Sequence, residues 1–83
     1  MGVEKKWRYN HFGNVIEVQN THKAEMLFIN GEKQDERTGI FSWRPYLRAE
    51  LNTGESVRAV IGGHFRLHCK IYIDDRLIFA EKA

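Results

Sequence analysis

The side chains that could ligate a metal ion are one cysteine, Cys69, and four histidines. His64 and His68 would share one face of a strand, but four residues of strand span about 13 Å. That is too far for two ligands that must both lie about 2.0–2.1 Å from one zinc ion. His68 and Cys69 are adjacent and would point to opposite faces, so His11 or His22 would have to converge on one of them from elsewhere. We therefore predict no bound metal and no cofactor.

Residues that could act as nucleophiles lack the neighbours that activate them. Cys69 stands on an apolar strand face, where burial raises the pKa of a thiol and leaves little thiolate. Ser42 and Ser56 are not in a nucleophile-elbow motif. Asp74 and Asp75 belong to a turn, and exposed neighbours lack the contrasting environments that separate the two pKa values of a catalytic carboxylate pair. We expect the chain not to be an enzyme.

The stretch from Phe65 to Ile73 alternates apolar and polar residues without a break. Only a β-strand places successive side chains on opposite faces, so this pattern predicts a strand with one buried and one exposed side. We expect Phe65, Leu67, Cys69, Ile71 and Ile73 to be buried and Arg66, His68 and Lys70 to be exposed.

Similar short segments separated by turn residues recur along the chain and predict an all-β fold. The turn pairs are Gly13-Asn14, Asn30-Gly31, Thr53-Gly54 and Asp74-Asp75. The predicted strands are Trp7–Phe12, Val15–Gln19, Ala24–Ile29, Tyr46–Leu51, Ser56–Ile61, Phe65–Ile73 and Arg76–Ala80, with Glu32–Arg37 as an exposed return strand or loop. Seven or eight short strands joined by hairpins indicate a small antiparallel β-sandwich or a partly open barrel. Over residues 45–52 we predict strand, although Pro45 could also start a short helix.

Composition favours one soluble domain over residues 1–83, with residues 1–6 as a disordered tail. Thirteen basic and eleven acidic side chains give a net charge of +2, weaker than is usual for a dedicated nucleic-acid binder. A single cysteine allows no intramolecular disulfide, which fits a reducing compartment. The polar N-terminus does not resemble a signal peptide, and no apolar run approaches the ~20 residues of a membrane span. We predict a cytoplasmic protein without membrane contact.

Two segments of the chain, Met26–Lys33 and Lys70–Leu77, share a strand, an acidic or amide turn and a charged return. They could form the outer elements of a pseudo-symmetric sandwich, or they could show only the general likeness of short hairpins. Their layout resembles one β-sandwich domain of the Fas apoptotic inhibitory molecule family, in which strands end in Val-Asp-Gly-Lys or Ile-Asp-Gly-Lys turns. The matching positions are Phe28–Gly31 and Tyr72–Asp75, with Asp75 where the family has glycine. The resemblance implies a compact, non-enzymatic domain with protein-interaction duties, and it supplies no catalytic or ligand-binding residue.

Two surfaces are candidates for binding. The segment Trp43-Arg44-Pro45-Tyr46 offers the residue types that dominate interaction hot spots, although Trp43 could instead close one end of the sandwich. Consecutive pairing of the strands that start at Tyr46, Ser56 and Phe65 would gather basic side chains on one exposed sheet face. Cations with an aromatic among them suit single-stranded nucleic acid, but Glu50 on the same face could absorb charge in cross-strand ion pairs.

From these patterns we predict a non-enzymatic interaction module that binds a protein partner or a second copy of itself. The alternative is an anion- or single-stranded nucleic-acid-binding module that uses the basic sheet face. The candidate binding residues are Trp43, Arg44, Tyr46, Arg48, Arg58, Arg66, His68, Lys70 and Tyr72.

Overall fold

The computed structural model describes residues 5–38, 46–62 and 68–82, and these residues form two four-stranded antiparallel sheets. Each strand pairs with its neighbours in sequence, so the first sheet has the order β1-β2-β3-β4 and the second β5-β6-β7-β8. The strands are β1 (Lys5–His11), β2 (Asn14–Asn20), β3 (Ala24–Ile29), β4 (Glu32–Thr38), β5 (Leu47–Glu50), β6 (Ser56–Gly62), β7 (His68–Ile73) and β8 (Arg76–Lys82). The predicted small β-sandwich is confirmed.

The core lies between the inner faces of the two sheets, as the alternation of apolar residues requires. Side chains from both sheets form one cluster of buried residues: Trp7, Ile16, Val18, Leu27, Ile29, Leu47, Leu51, Val57, Ala59, Cys69, Ile71 and Ile73. In β7 the predicted faces are confirmed for Cys69, Ile71 and Ile73, which are buried, and for Lys70, which is exposed. The predictions for Phe65, Arg66 and Leu67 fall outside the described residues.

One prediction of exposure in β7 is wrong. His68 is half-buried, because β7 is a central strand whose backbone is covered on both sides by its pairing with β6 and β8.

Three hairpins turn through two residues that both have positive φ, as a type I′ turn requires. Asn30-Gly31 has φ of 51° and 85°, and Asp74-Asp75 has 51° and 66°. Both of these turns were predicted. The third turn is Phe12-Gly13, with φ of 48° and 90°.

The predicted turn Gly13-Asn14 is therefore wrong by one residue, because His11 pairs with Asn14. Alternation cannot distinguish the two arrangements, since they differ by a register shift of two that leaves every side chain on its own face. The side chain of Asn10 favours the observed turn, because its Oδ1 accepts a hydrogen bond of 2.8 Å from the backbone N–H of Gly13.

Three further predictions concern strand limits. Within residues 45–52, where a short helix was the alternative, Leu47–Glu50 forms a strand that pairs with β6. Glu32–Thr38 is a strand rather than a loop, because it pairs with β3. The predicted tail over residues 1–6 is wrong for its last two residues, since Lys5 and Lys6 pair with Asn20 and Gln19. Residue 45 and residues 1–4 lie outside the description.

The last hairpin of each sheet has the same geometry. In β3–β4 the register shifts between Leu27 and Phe28, so two residue pairs separate the shift from the turn. In β7–β8 the shift falls at the equivalent step, between Ile71 and Tyr72. The two segments that share a sequence pattern thus also share the position of a β-bulge.

In both hairpins the first turn residue also makes two hydrogen bonds with the first residues of the strand before the hairpin, β2 or β6. Asn30 Oδ1 accepts from the N–H of Val15 at 2.8 Å, and the N–H of Asn30 donates to the Val15 carbonyl at 2.8 Å. Asp74 makes the same reciprocal pair with Ser56, with both distances 3.0 Å. The two sheets can therefore be aligned strand by strand, with β1–β4 equivalent to β5–β8.

The two sheets also contact each other at both edges. The N–H of Arg48 on edge strand β5 donates to Asp35 Oδ2 at 2.8 Å. At the opposite edge the rings of Tyr9 and Phe79 lie 5.6 Å apart. The described residues contain no helix long and apolar enough to cross a membrane.

Candidate functional site

The outer face of the second sheet gathers the predicted basic residues that lie within the description. Arg48, Arg58 and Tyr72 are directly opposite one another on β5, β6 and β7, so they form a row across the sheet. Lys70 and His68 follow on the same face of β7 at steps of two residues. We call the surface formed by Tyr46, Arg48, Arg58, His68, Lys70 and Tyr72 the basic face. The other predicted binding residues, Trp43, Arg44 and Arg66, lie outside the described residues.

Arg58 is held at the centre of this row by two tyrosines and one carboxylate. Its guanidinium carbon lies 5.5 Å from the ring centroid of Tyr46 and 4.9 Å from that of Tyr72, within the range of cation–π attraction. Its Nη1 also donates to Asp75 Oδ1 at 2.9 Å. Asp75 is an 82% exposed turn residue, and an ion pair of this kind contributes only about 0.2–1 kcal/mol. Arg58 is therefore fixed in place but only partly neutralised.

The equivalent row of the first sheet carries opposite charges instead of like charges. There Arg8 is opposite Glu17, which is opposite Phe28. Alignment of the two sheets places Glu17 where the second sheet has Arg58. Glu17 lies 3.3 Å from Arg8 Nε and 4.0 Å from Lys6 Nζ, so its carboxylate serves both cations. The first sheet thus balances the charge of this row within itself.

The second sheet does not balance its charge in this way. Within the described parts of the chain, the side chains of Arg48 and Lys70 are exposed and make no ion pair. Glu50 lies on the same face as Arg48, but it is opposite Ser56 and makes no cross-strand ion pair with the described residues. The cross-strand neutralisation that Glu50 was expected to provide is absent from this part of the structure, and two like charges, Arg48 and Arg58, are adjacent. Like charges in this position destabilise a sheet.

Small side chains leave two hollows on the basic face, one on each side of β7. Val60 and Ala80 flank Lys70 on the neighbouring strands, and Gly62 is opposite His68. The hollow towards β6 measures about 300 Å³ and the hollow towards β8 about 260 Å³. His68 and Lys70 line both hollows, so a side chain of a bound ligand could occupy either hollow next to a basic residue.

A second site, which the sequence did not reveal, lies at the end of the sandwich where the β1–β2, β5–β6 and β7–β8 connections meet. A cleft of about 440 Å³ opens there, and we call it the end cleft. His11 is only 9% exposed, and its Nε2 lies 3.2 Å from Glu55 Oε2. The hydroxyl of Thr53 donates to the other oxygen of Glu55 at 2.8 Å. His11 and Glu55 are 44 positions apart in the sequence, so no local sequence pattern could indicate that they form a pair.

The opposite end of the sandwich has a cleft of about 490 Å³ beside an ion pair. Arg37 Nη1 donates to Glu25 Oε1 at 2.8 Å, and both side chains are largely buried. Burial raises the pKa of Glu25, and the charge of Arg37 partly opposes that effect.

Cys69 is fully buried, as the alternation predicts. Burial raises the pKa of its thiol to about 12, and the charges of Glu81 and Glu25 add to the effect. A thiol of this kind is a poor nucleophile at neutral pH.

Among the residues that the structure describes, no group of three or more His, Cys, Asp or Glu side chains is placed to hold a metal ion. His64 lies outside them, so the prediction that this histidine and His68 do not share a metal stays a prediction.

Comparison with known proteins does not add a family. No protein-family model, no curated protein sequence and no solved structure matches the chain. The likeness to the Fas apoptotic inhibitory molecule family stays a prediction, and any proposal about function rests on the geometry above.

Proposed function

We propose that the chain is a non-enzymatic interaction module that binds an acidic segment of a protein partner through the basic face. The proposal rests on one observation. At the centre of the equivalent rows the first sheet has the negatively charged Glu17, whereas the second sheet has the positively charged Arg58. The fold tolerates a carboxylate at this position, since the first sheet has one. An arginine beside Arg48 costs stability and leaves positive charge for a partner to neutralise.

The geometry favours an acidic protein segment over a nucleic acid. Tyr46 and Tyr72 each direct a ring towards the guanidinium of Arg58, which occupies ring surface that a base would need for stacking. Carboxylates need no ring surface, and the exposed cations Arg48 and Lys70 can pair with them directly. Tyrosine and arginine are also the residue types that contribute most at protein interfaces.

Single-stranded nucleic acid is the second candidate, because Tyr72 lies between basic side chains on one sheet face. Aromatic rings and cations in such an arrangement can stack bases and neutralise phosphates. The two candidates differ in ligand rather than in surface, so one experiment can compare them.

The test is a pair of fluorescence anisotropy titrations at about 50 mM salt, one with a labelled glutamate-rich peptide and one with a labelled single-stranded oligonucleotide. The variant Arg48→Gln/Lys70→Gln removes the two unpaired cations. Its matched control, Lys6→Gln/Arg8→Gln, removes the same charge from the first sheet. Two exposed ion pairs at up to about 1 kcal/mol each correspond to a loss of affinity of up to about thirty-fold.

We expect the peptide to bind wild type and the control alike, and to bind the Arg48/Lys70 variant more weakly. Amide shifts in NMR spectra should centre on β5, β6 and β7. Tighter binding of the oligonucleotide, lost in the same variant, would support the second candidate. No binding of either ligand at about 100 μM protein would contradict both candidate functions. If the two variants lost affinity equally, binding would depend on the net charge of the protein and not on the basic face.

A further inference from the structure

The residue that the fold explains least is Phe12. It occupies the first position of the β1–β2 turn with φ of +48°, where a bulky side chain is strained and Asn or Gly is usual. Its side chain is 93% exposed, so folding gains little from it. The equivalent position of the β3–β4 hairpin is Asn30, with φ of +51°. A strained backbone that carries an exposed aromatic points to a role outside the folded monomer.

The end cleft lies directly beside this ring. Its lining includes Phe12 itself, the partly buried apolar groups Tyr9 and Ile78, and the side chain of Ile73. Glu55, Asp74 and Arg76 line it as well, so most of its surface is polar and it carries charges of both signs beside a smaller apolar part. A projecting aromatic and a cleft with an apolar part therefore share one end of the molecule.

We propose that this end is a self-association surface, in which Phe12 of each copy enters the end cleft of the other. A two-fold symmetric interface uses the same patch on both copies, so a projection and its receptor must lie side by side on one surface, as they do here. Opposite charges also lie on this one surface, so Arg76 of one copy can face Asp74 of the other. The occupant of the cleft is thus a second copy of this chain, and the proposal is independent of the basic face.

The size of the surface indicates a reversible dimer. A phenylalanine buries about 150–250 Å² of its own surface, so two rings supply about 300–500 Å². Transient complexes bury up to about 1,200 Å² in all, and the rims of two clefts can contribute only part of the remainder. Association should therefore be measured by sedimentation equilibrium over a wide range, up to about 1 mM protein.

The decisive variant is Phe12→Asn, which copies the tip of the β3–β4 hairpin and should not harm folding. We expect wild type to dimerise and this variant to have a dissociation constant raised at least about ten-fold, the effect of losing an interface anchor. Leu77→Thr is the control, since it removes a 48% exposed apolar side chain from another surface and should dimerise as wild type does. Arg76→Glu should weaken the dimer through the charge contact.

A second measurement identifies the contact itself. In a mixed sample of ¹³C-labelled and unlabelled protein, isotope-filtered NMR should show transfer between the Phe12 ring of one copy and the methyl groups of Ile73 and Ile78 of the other. A wild-type protein that stays monomeric up to about 1 mM would overturn the proposal and leave Phe12 for a different partner. A dimer that survives Phe12→Asn unchanged would overturn it too, because another surface would then be responsible.

Discussion

The backbone at Phe12 leads to a specific expectation about stability: Phe12→Asn should make the monomer more stable. Residues other than Gly, Asn and Asp lose roughly 1–2 kcal/mol in the left-handed region that Phe12 occupies. The substitution gives up one ring contact, with centroids of His11 and Phe12 4.8 Å apart. Such pairs contribute about 0.5–1.5 kcal/mol, and the 93% exposure of Phe12 places this one at the low end. The net gain should be about 0.5–1.5 kcal/mol.

The reverse exchange should have the opposite sign and a larger size. Asn30→Phe places a bulky side chain at φ of +51° and removes two hydrogen bonds of the Asn30 amide. These are the bond from the N–H of Val15 at 2.8 Å and the bond to Asn14 Oδ1 at 3.0 Å. Strain of about 1–2 kcal/mol and the loss of two hydrogen bonds at about 1 kcal/mol each give a destabilisation of about 3–4 kcal/mol.

Urea unfolding measures both effects, at a protein concentration low enough that association does not contribute. With a slope of about 1 kcal/mol/M for a chain of this size, the midpoint should rise by about 0.5–1.5 M for Phe12→Asn. The melting temperature should rise by several degrees, since about 1 kcal/mol corresponds to roughly 4–8 °C in a domain of this length. A lower midpoint for Phe12→Asn would refute the reasoning, because it would mean that Phe12 makes stabilising contacts within the monomer.

Four other expectations concern the core, Cys69 and the metal content of the protein. Ile71→Ala should cost about 2–5 kcal/mol in urea unfolding because Ile71 is fully buried, whereas Lys70→Ala on the opposite face should change stability by less than about 0.5 kcal/mol. Cys69 should react with a disulfide reagent at pH 8 far more slowly in the native protein than in denaturant; equal rates would show that the thiol is accessible. The folded-state pKa of Cys69, about 12, lies above its ordinary 9.0, so its contribution to stability is complete below pH 9.0 and is lost as pH rises towards 12. Cys69→Ala should therefore lose less stability than wild type over that interval. Elemental analysis after dialysis against chelator should find no stoichiometric zinc, and about one zinc per chain would contradict the predicted absence of a metal site.

Most strands could be predicted because they are marked by alternation and bounded by turn residues; Glu32–Thr38 has no apolar residue, and there strand and loop could not be told apart. Asn30-Gly31 and Asp74-Asp75 fixed two hairpins, since their side chains tolerate positive φ at both central positions. The β1–β2 turn was misplaced because Phe12 is an improbable residue there and Gly13-Asn14 is an attractive alternative one step away. The strand alternation is the same in both registers, and the observed one is favoured by the hydrogen bond that the backbone N–H of Gly13 donates to Asn10 Oδ1.

The basic face could be predicted in part, because the faces of β5, β6 and β7 follow from alternation once their order is known. The extent to which its charge is neutralised could not, since that depends on where the carboxylates of Asp75 and Glu50 point. The end cleft could not be predicted at all. His11 and Glu55 come from different sheets, and their contact depends on how the sheets stack, which alternation within a strand does not specify.

The equivalence of the two sheets explains why the charge at one position is informative. Both sheets have the same pairing register, the same bulge and the same tie between a turn and the preceding strand. These shared features involve inner positions and turns, which the fold requires. Outer positions are free to differ, and at the centre of the row Glu17 neutralises Arg8 while Arg58 stands beside Arg48. Since the first sheet folds with a carboxylate at this position, the proposed acidic partner gives the like-charged row of the second sheet a role that packing alone does not require.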